Sequence, residues 1–283
     1  MIGVRMATGV IPLAGVIGAP VGHSRSPALH GHWLRRYGVA GHYVPLEVAQ
    51  ADLAEVIRLL PRMGFVGCNV TIPHKETVLK LADVVTDRAS LIGAANTLIY
   101  RSDGKLHADN TDGSGFLANL RQEAPHWHPP AGPAAVLGAG GAARAVVTAL
   151  LEAGVPEIRI ANRTRARAEA LRAEFGARLL VNDWTEAGAM LHEAMTVVNT
   201  TALGMQGKPE LRIPLDALSP QAVVSDLVYS PLRTGLLEDA AARGCTTVDG
   251  LGMLLHQAAP GFERWFGVRP EVDAEARAAV LAA

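Results

Sequence analysis

Several short stretches of the chain hold side chains able to do chemistry, and the most demanding of them is rich in glycine. The apolar run 134–137 passes directly into Gly138, Ala139, Gly140, Gly141, Ala142 and Ala143. Gly138 permits a tight turn, Gly140 lets the backbone approach a pyrophosphate, and the small Ala143 lets the following helix sit close on the strand. The N-terminus of that helix attracts an anion. About 20 residues on, where a ribose-reading acid belongs, the chain has Asn162, Arg163, Thr164, Arg165, Ala166 and Arg167 instead. A carboxylate there would accept from a free 2′-hydroxyl, whereas guanidinium groups pair with a 2′-phosphate. A solvated helix start capped by Thr164 is the plainer reading. Basic residues in a first helical turn oppose its dipole, however, so a local rule is broken there. The expected cofactor is therefore NADP(H) rather than NAD.

A second constellation lies in the first half. Gly67, Cys68, Asn69, Val70, Thr71, Ile72, Pro73, His74 and Lys75 carry a strand into a helix expected to begin near Pro73. Lys75 would then stand in the first helical turn, where the dipole disfavours a cation and should lower the amine pKa. A surface lysine is the alternative. Asp112 follows Asp109, Asn110 and Thr111, and could equally be the N-cap of the helix carrying Phe116, Leu117 and Leu120. Ser24 and Ser26 could simply serve a turn and a cap, and Asn96 with Thr97 could be a turn.

The elements that must position these groups read as an α/β chain. Short buried strands are expected at 13–18, 64–70, 134–137, 157–161, 196–198, 222–225 and 245–248. The 29 glycines and 17 prolines punctuate apolar runs and form no linker. Ser26 is the expected N-cap of a helix with Pro27 at its first position, and Leu29, Trp33 and Tyr37 share one face of it. Ser230 and Pro231 repeat that device before Leu236 and Leu237. Further helices are expected at 141–153 and 164–175, stopped by Gly154 and Gly176. Residues 124–133 are the expected linker.

Composition excludes several function classes. Of 283 residues, 49% are apolar and 19% charged, enough to build a core and too few charges for disorder. Length favours two domains. With 26 basic and 27 acidic side chains the formal charge is −1, which offers no footprint for nucleic acid or an anionic membrane. The apolar stretches are too short for a membrane span. Residues 1–18 lack the charged-then-apolar pattern of a signal peptide. Cys68 and Cys245 form neither metal spacing nor a disulfide framework, so no metal is expected. A cytoplasmic protein acting on small molecules remains.

Taken together, the motifs resemble the shikimate dehydrogenase family in order and spacing. The resemblance rests on His23, Ser24, Ser26, Pro27 and His30, on Asn69 to Lys75, on Asn96-Thr97, and on Asp109 to Gly113. Gly138 to Ala143, Asn162-Arg163-Thr164, Asn199-Thr200-Thr201, Asp226 to Pro231 and Gly250 to Gln257 continue it along nearly the whole chain. Departures are Ala19 and Gly31, both beside the serine loop.

The resemblance implies two α/β domains with a cleft between them. Residues 1–113 with 250–283 would bind substrate, and 114–249 would be a Rossmann-type NADP-binding domain. It implies reversible, NADPH-dependent reduction of 3-dehydroshikimate to shikimate, on the way to chorismate and the aromatic amino acids. Lys75 and Asp112 match the catalytic pair. Ser24 and Ser26 match the hydroxyls that hold the substrate carboxylate, and Asn69, Thr71, Asn96, Asp112, Tyr229 and Gln257 the ring that reads its hydroxyls. Gly138, Ala139, Gly140, Gly141 and Ala142 match cofactor contacts, as do Asn162, Arg163, Thr164, Arg165 and Arg167. Leu227 and Gly250 would lie near the nicotinamide, and Asp87 would approach the cofactor unless it is only an exposed helix carboxylate. No nucleic-acid or membrane partner is implied; a monomer or homodimer is. A quinate or quinate/shikimate dehydrogenase, often NAD-linked, is the enzymatic rival. A non-catalytic NADP-binding regulatory paralogue is the other.

Overall fold

The computed structural model describes residues 11–283. The stretch before residue 11, with most of the segment weighed as a signal peptide and the start of the first expected domain, lies outside them. The chain divides into two compact units, Met1–Thr111 with Leu254–Ala283, and Asp112–Met253.

In the first unit six strands form a mixed sheet: β1 (Leu13–Gly18), β2 (His42–Glu47), β3 (Phe65–Val70), β4 (Val84–Val85), β5 (Thr97–Tyr100) and β6 (Leu106–Asp109). They lie in the order β2-β1-β3-β5-β6-β4. Four helices connect them: α1 (Ser26–Arg36), α2 (Leu53–Leu59), α3 (Thr77–Leu81) and α4 (Asp87–Ile92). β1 and β3 are buried along nearly their whole length and read as apolar runs. β2 stands at the edge, where Pro45 is tolerated. β5 and β6 form an antiparallel hairpin, and β3 pairs antiparallel with β5. The two registers put Asn69 opposite Thr97 and Thr97 opposite Asp109. The hairpin thus brings Asn69, Asn96 and the 109–111 segment to one end of the sheet.

The second unit holds a fully parallel sheet: β7 (Ala134–Leu137), β8 (Ile158–Ala161), β9 (Leu179–Asn182), β10 (Thr196–Asn199), β11 (Val223–Asp226) and β12 (Thr246–Val248). The order is β12-β11-β10-β7-β8-β9. Helices α5 (Asp112–Glu123), α6 (Gly141–Glu152), α7 (Arg165–Phe175) and α8 (Gly235–Ala242) belong to it. β7 shows why its strands read as continuous apolar runs. Ala134 and Val136 enter one core cluster, Ala135 and Leu137 another, so each face is covered. Strand order reverses between β7 and β10, and ligands of such sheets bind beyond the carboxyl ends of the strands at that point.

α9 (Gly250–Phe266) begins in the second unit and ends in the first, and α10 (Ala274–Leu281) follows. In the first unit α1, β2 and the later part of α9 share an aromatic cluster of His30, Trp33, Tyr43, Phe262 and Trp265.

Three sequence expectations are corrected here. Residues 124–133 are not an interdomain linker: they lie within the second unit, joining α5 to β7. Trp127 Nε1 donates to Thr196 Oγ1 at 2.9 Å and its ring packs on the core. Ser26 is the first residue of α1 rather than its cap; Arg25 holds the N-cap position, and no side chain caps the helix. Ser230 and Pro231 precede α8 by several residues, and the true cap is Thr234, whose hydroxyl accepts from Leu237 N–H at 3.4 Å.

Candidate active site

At the switch point of the parallel sheet, β7 ends in Leu137 opposite Asn199 of β10. Gly138 takes φ +105°, and a Cβ there would stand 2.7 Å from Thr200 Oγ1. The position is therefore closed to side chains both by conformation and by space. Thr200 holds the crossing from its side: its N–H and hydroxyl both donate to the Leu137 carbonyl, at 2.8 and 2.7 Å. Ala139 N–H donates to Asn162 Oδ1 at 3.2 Å, and Asn162 Nδ2 donates to the Thr164 carbonyl at 2.8 Å. Asn162 thus couples the glycine turn to the basic segment. α6 starts at Gly141 behind a Gly140 N-cap that has no side chain to offer its first N–H groups. A Cβ on Gly140 or Gly141 would meet nothing within 4 Å, so the space above this turn is open.

Arg163, Arg165 and Arg167 are all exposed, but they are not equivalent. Arg165 is ion-paired to Asp183 at 2.7 Å and to Glu169 at 3.0 Å, which orient its guanidinium. Arg163 and Arg167 have no carboxylate partner among the described residues. Arg165 is thus engaged by carboxylates that Arg163 and Arg167 do not share. Thr164 holds the N-cap position of α7 but makes no side-chain cap bond.

The loop after β11 is fixed by a buried polar network. Asp226, with no exposed surface, accepts from Asn199 Nδ2 at 2.9 Å, Val228 N–H at 3.0 Å and the Thr234 hydroxyl at 2.7 Å. Burial pushes its carboxyl pKa up, and the three donors work against that rise. Leu227 N–H donates to the Asn199 carbonyl at 3.0 Å. Gly250 approaches so closely that a Cβ would lie 2.3 Å from the Leu227 carbonyl oxygen. Leu227 and Gly250 are thereby placed together, with the half-buried Tyr229 two residues on.

In the first unit the amides gather. Asn69, Asn96 and Gln257 are buried polar residues, as are Thr97 and Thr111. Asn69 Nδ2 donates to the Asn96 carbonyl at 3.2 Å and to Thr97 Oγ1 at 3.4 Å. Asn96 Nδ2 donates to Thr111 Oγ1 at 2.9 Å and Gln257 Oε1 at 3.1 Å, and its Oδ1 accepts from the Thr97 hydroxyl at 2.9 Å. The Thr111 hydroxyl donates to the Gln257 carbonyl at 2.8 Å, tying this end of the hairpin to α9. Ser24 and Ser26 lie together at the start of α1, where Ser26 N–H donates to Ser24 Oγ at 3.3 Å.

Lys75 departs from expectation in its setting. α3 begins at Thr77, so Lys75 stands in the turn before it and not in its first turn. The turn is closed by His74 N–H to the Thr71 carbonyl at 3.0 Å and held by Ala95 N–H to the Lys75 carbonyl at 2.8 Å. His74, fully buried, anchors it further through Nε2 to the Val48 carbonyl at 2.8 Å. The macrodipole argument for Lys75 loses its geometric basis. Asp112 is the first residue of α5, buried, directly after Thr111 of the amide cluster. Asp87 is exposed in the first turn of α4, beside Arg88, which pairs with Asp109.

Sequence reasoning missed Tyr43, Thr97, Thr111, His74, Thr200 and Thr234. Thr97, Thr111, His74 and Thr200 stand inside motifs named above; nothing in the sequence marks Tyr43 or Thr234.

Comparison with known proteins agrees with this geometry. The profile of the shikimate dehydrogenase substrate binding domain matches residues 16–98, that of shikimate / quinate 5-dehydrogenase residues 131–205, and that of the shikimate 5′-dehydrogenase C-terminal domain residues 250–280. A protein of Cereibacter sphaeroides named shikimate dehydrogenase (NADP(+)) is 75% identical over 273 residues, covering 96% of this chain and 98% of its own. The structure of shikimate 5-dehydrogenase from Thermus thermophilus, in complex with NADP(H) and shikimate, is 37% identical. It has a TM-score of 0.85 and covers 95% of this chain and 98% of its own. Quinate dehydrogenase from Corynebacterium glutamicum, in complex with NAD, is 32% identical with a TM-score of 0.88, covering 96% and 99%. The chain belongs to the shikimate dehydrogenase family.

Proposed function

We propose that this enzyme catalyses the reversible NADPH-dependent reduction of 3-dehydroshikimate to shikimate. The observation that carries the reading is the buried hydrogen-bonded cluster of Asn69, Asn96, Thr97, Thr111 and Gln257, a surface built for a polyhydroxylated ring. The 75% identity to an NADP-dependent shikimate dehydrogenase supports it, as does the pair Arg163 and Arg167 beside the glycine turn. That donor set fits NADP: backbone N–H groups for the pyrophosphate, guanidinium groups for the 2′-phosphate.

NADPH, when bound, supplies the hydride. As negative charge grows on the substrate oxygen, Lys75 meets it with its ammonium, and Asp112 is the second member of the catalytic pair. Ser24 and Ser26 hold the carboxylate, which does not change during the reaction, so they contribute uniform binding. Thr71, Asn96, Tyr229 and Gln257 orient the ring hydroxyls. Gly138 to Ala142, with Asn162, Arg163 and Arg167, bind the cofactor, and Leu227 and Gly250 flank the nicotinamide. We assign substrate binding to 1–113 with 250–283 and cofactor binding to 114–249. No described helix is long and apolar enough to cross a membrane. We place the enzyme in the cytoplasm as a monomer or homodimer; its buried free cysteines, Cys68 and Cys245, suit a reducing compartment.

The test is NADPH oxidation with 3-dehydroshikimate, repeated with NADH, and the reverse reaction with shikimate and with quinate. Turnover of shikimate with NADP+ well above that of quinate with NAD+ is expected. The opposite order would make it a quinate dehydrogenase, and no turnover at all a binding paralogue.

A further inference from the structure

We infer that Tyr43 is a positioning residue of the substrate site, whose hydroxyl holds the Asn69 amide in the orientation it presents to the substrate. The inference rests on the reading of the amide cluster given above.

Tyr43 is the second residue of the edge strand β2, opposite Ala14 of β1, and is buried. Its phenol donates to Asn69 Oδ1 at 2.7 Å, against 3.2 and 3.4 Å for the two bonds made by Asn69 Nδ2. The shape of an amide does not tell its oxygen from its nitrogen, so only partners decide its orientation. The Asn96 carbonyl can only accept, so it must face Nδ2, and the phenol locks the amide from its other end by donating to Oδ1. Asn69 Nδ2 is thereby turned toward the Asn96 carbonyl and Thr97 Oγ1.

The neighbouring Asn96 amide has its own partners. With its lone pair facing Asn69 Nδ2, the Thr97 hydroxyl sends its proton to Asn96 Oδ1 at 2.9 Å. Asn96 Nδ2 then points at Thr111 Oγ1 and Gln257 Oε1. Thr111 N–H, which can only donate, also meets Asn96 Oδ1 at 2.9 Å and holds that amide independently, so the Tyr43 donor bears on Asn69.

The phenol is held for this task. His30 stacks on its ring at 3.9 Å with an interplanar angle of 2°, and Trp265 lies against it at 6.1 Å. Burial pushes the Tyr43 pKa well above its ordinary value, which keeps the proton on the oxygen. Ser26, a proposed carboxylate ligand, is a further polar neighbour.

Tyr43→Phe keeps the ring and its stacking and removes only the donor. A lost hydrogen bond of ordinary strength predicts a rise in KM for shikimate of roughly 5- to 10-fold. The turnover number and the KM for NADP+ should stay within about twofold, a split that general loss of packing would not produce. In an Asn69→Ala background the effect should vanish, because Tyr43 acts through Asn69. Unchanged KM in Tyr43→Phe, equal losses for both substrates, or a full additional effect in the Asn69→Ala background would each overturn the inference.

Ser24→Ala, assayed alongside, separates the two levels. If it raises the KM for shikimate while Tyr43→Phe does not, the inference alone fails. If Ser24→Ala has no effect, the proposed substrate site fails and the inference falls with it. A measurement on the unmodified protein covers the case of an unstable variant. The Cζ carbon resonance of Tyr43 should shift on adding shikimate alone and stay in place on adding NADP+ alone. A resonance indifferent to shikimate would overturn the inference.

Discussion

Replacing Arg163 and Arg165 one at a time by alanine should divide two arginines that look alike in the sequence. Arg163 is exposed and has no carboxylate partner among the described residues, so its charge is available to a 2′-phosphate. A bidentate, charge-assisted contact of that kind is worth roughly 1.5–3 kcal/mol, which predicts an increase of roughly 10- to 150-fold in KM for NADPH. NADH lacks the phosphate, so its KM should hold. Arg165 is engaged by Asp183 at 2.7 Å and Glu169 at 3.0 Å. Its removal breaks a surface pair and leaves two carboxylates facing the cofactor segment, a screened repulsion worth no more than about threefold at physiological salt. Initial rates at saturating 3-dehydroshikimate, with each nucleotide varied in turn, give all four constants. The reasoning is refuted if Arg163→Ala weakens NADPH and NADH equally, or if Arg165→Ala matches it.

Further outcomes follow from the same structure. Lys75→Ala and Asp112→Asn should each lower the turnover number, Lys75→Ala by about 10²- to 10⁴-fold with a modest change in KM, and the double variant should be little worse than the worse single one; near-normal turnover in Lys75→Ala would return that residue to the surface. His30, whose pKa burial pushes down to about 3, stays neutral in the folded state while the unfolded chain takes up a proton below about pH 6.5. Stability should therefore fall by up to about 1.4 kcal/mol per pH unit between about pH 6.5 and 3, and His30→Leu should lose that component in urea titrations; parallel curves would contradict it. Thr234→Val removes the α8 cap and a donor to buried Asp226 and should cost about 2–3 kcal/mol, whereas Ser26→Ala, with no cap bond to lose, should cost less than the about 1 kcal/mol of an N-cap. Equal denaturation midpoints for these two variants would contradict the assignment of the caps.

Parallel strands were legible because both of their faces are buried, so β7, β8, β10 and β11 read as unbroken apolar runs. The β5–β6 hairpin was not. Its strands are four residues each, and the polar Asn96, Thr97 and Asp109 at its ends look like loop residues until their partners are known. The Ser-Pro device located the start of α1 to within one residue and misassigned the cap. At Ser230 it failed by several residues, because the hydroxyl that caps α8 also serves Asp226. Lys75 was placed in a first helical turn since Pro73 is a good helix opener, yet residues 71–76 close as a turn of their own.

The site itself shows the same division between kinds of side chain and their commitments. Residue types that suit a carboxylate, a ring of hydroxyls, a pyrophosphate and a 2′-phosphate stand in plain order along the chain. What each group is free to do depends on partners far away in sequence. The Asn69 amide is oriented by a tyrosine 26 residues earlier, and Thr111 meets Gln257 across 146. Arg163, Arg165 and Arg167 lie within five consecutive positions and carry one charge each. Asp183, directly after β9 and 18 residues from Arg165, pairs with one of them. A basic segment suggests a phosphate, but which of its charges is left without a carboxylate partner depends on what packs beside it.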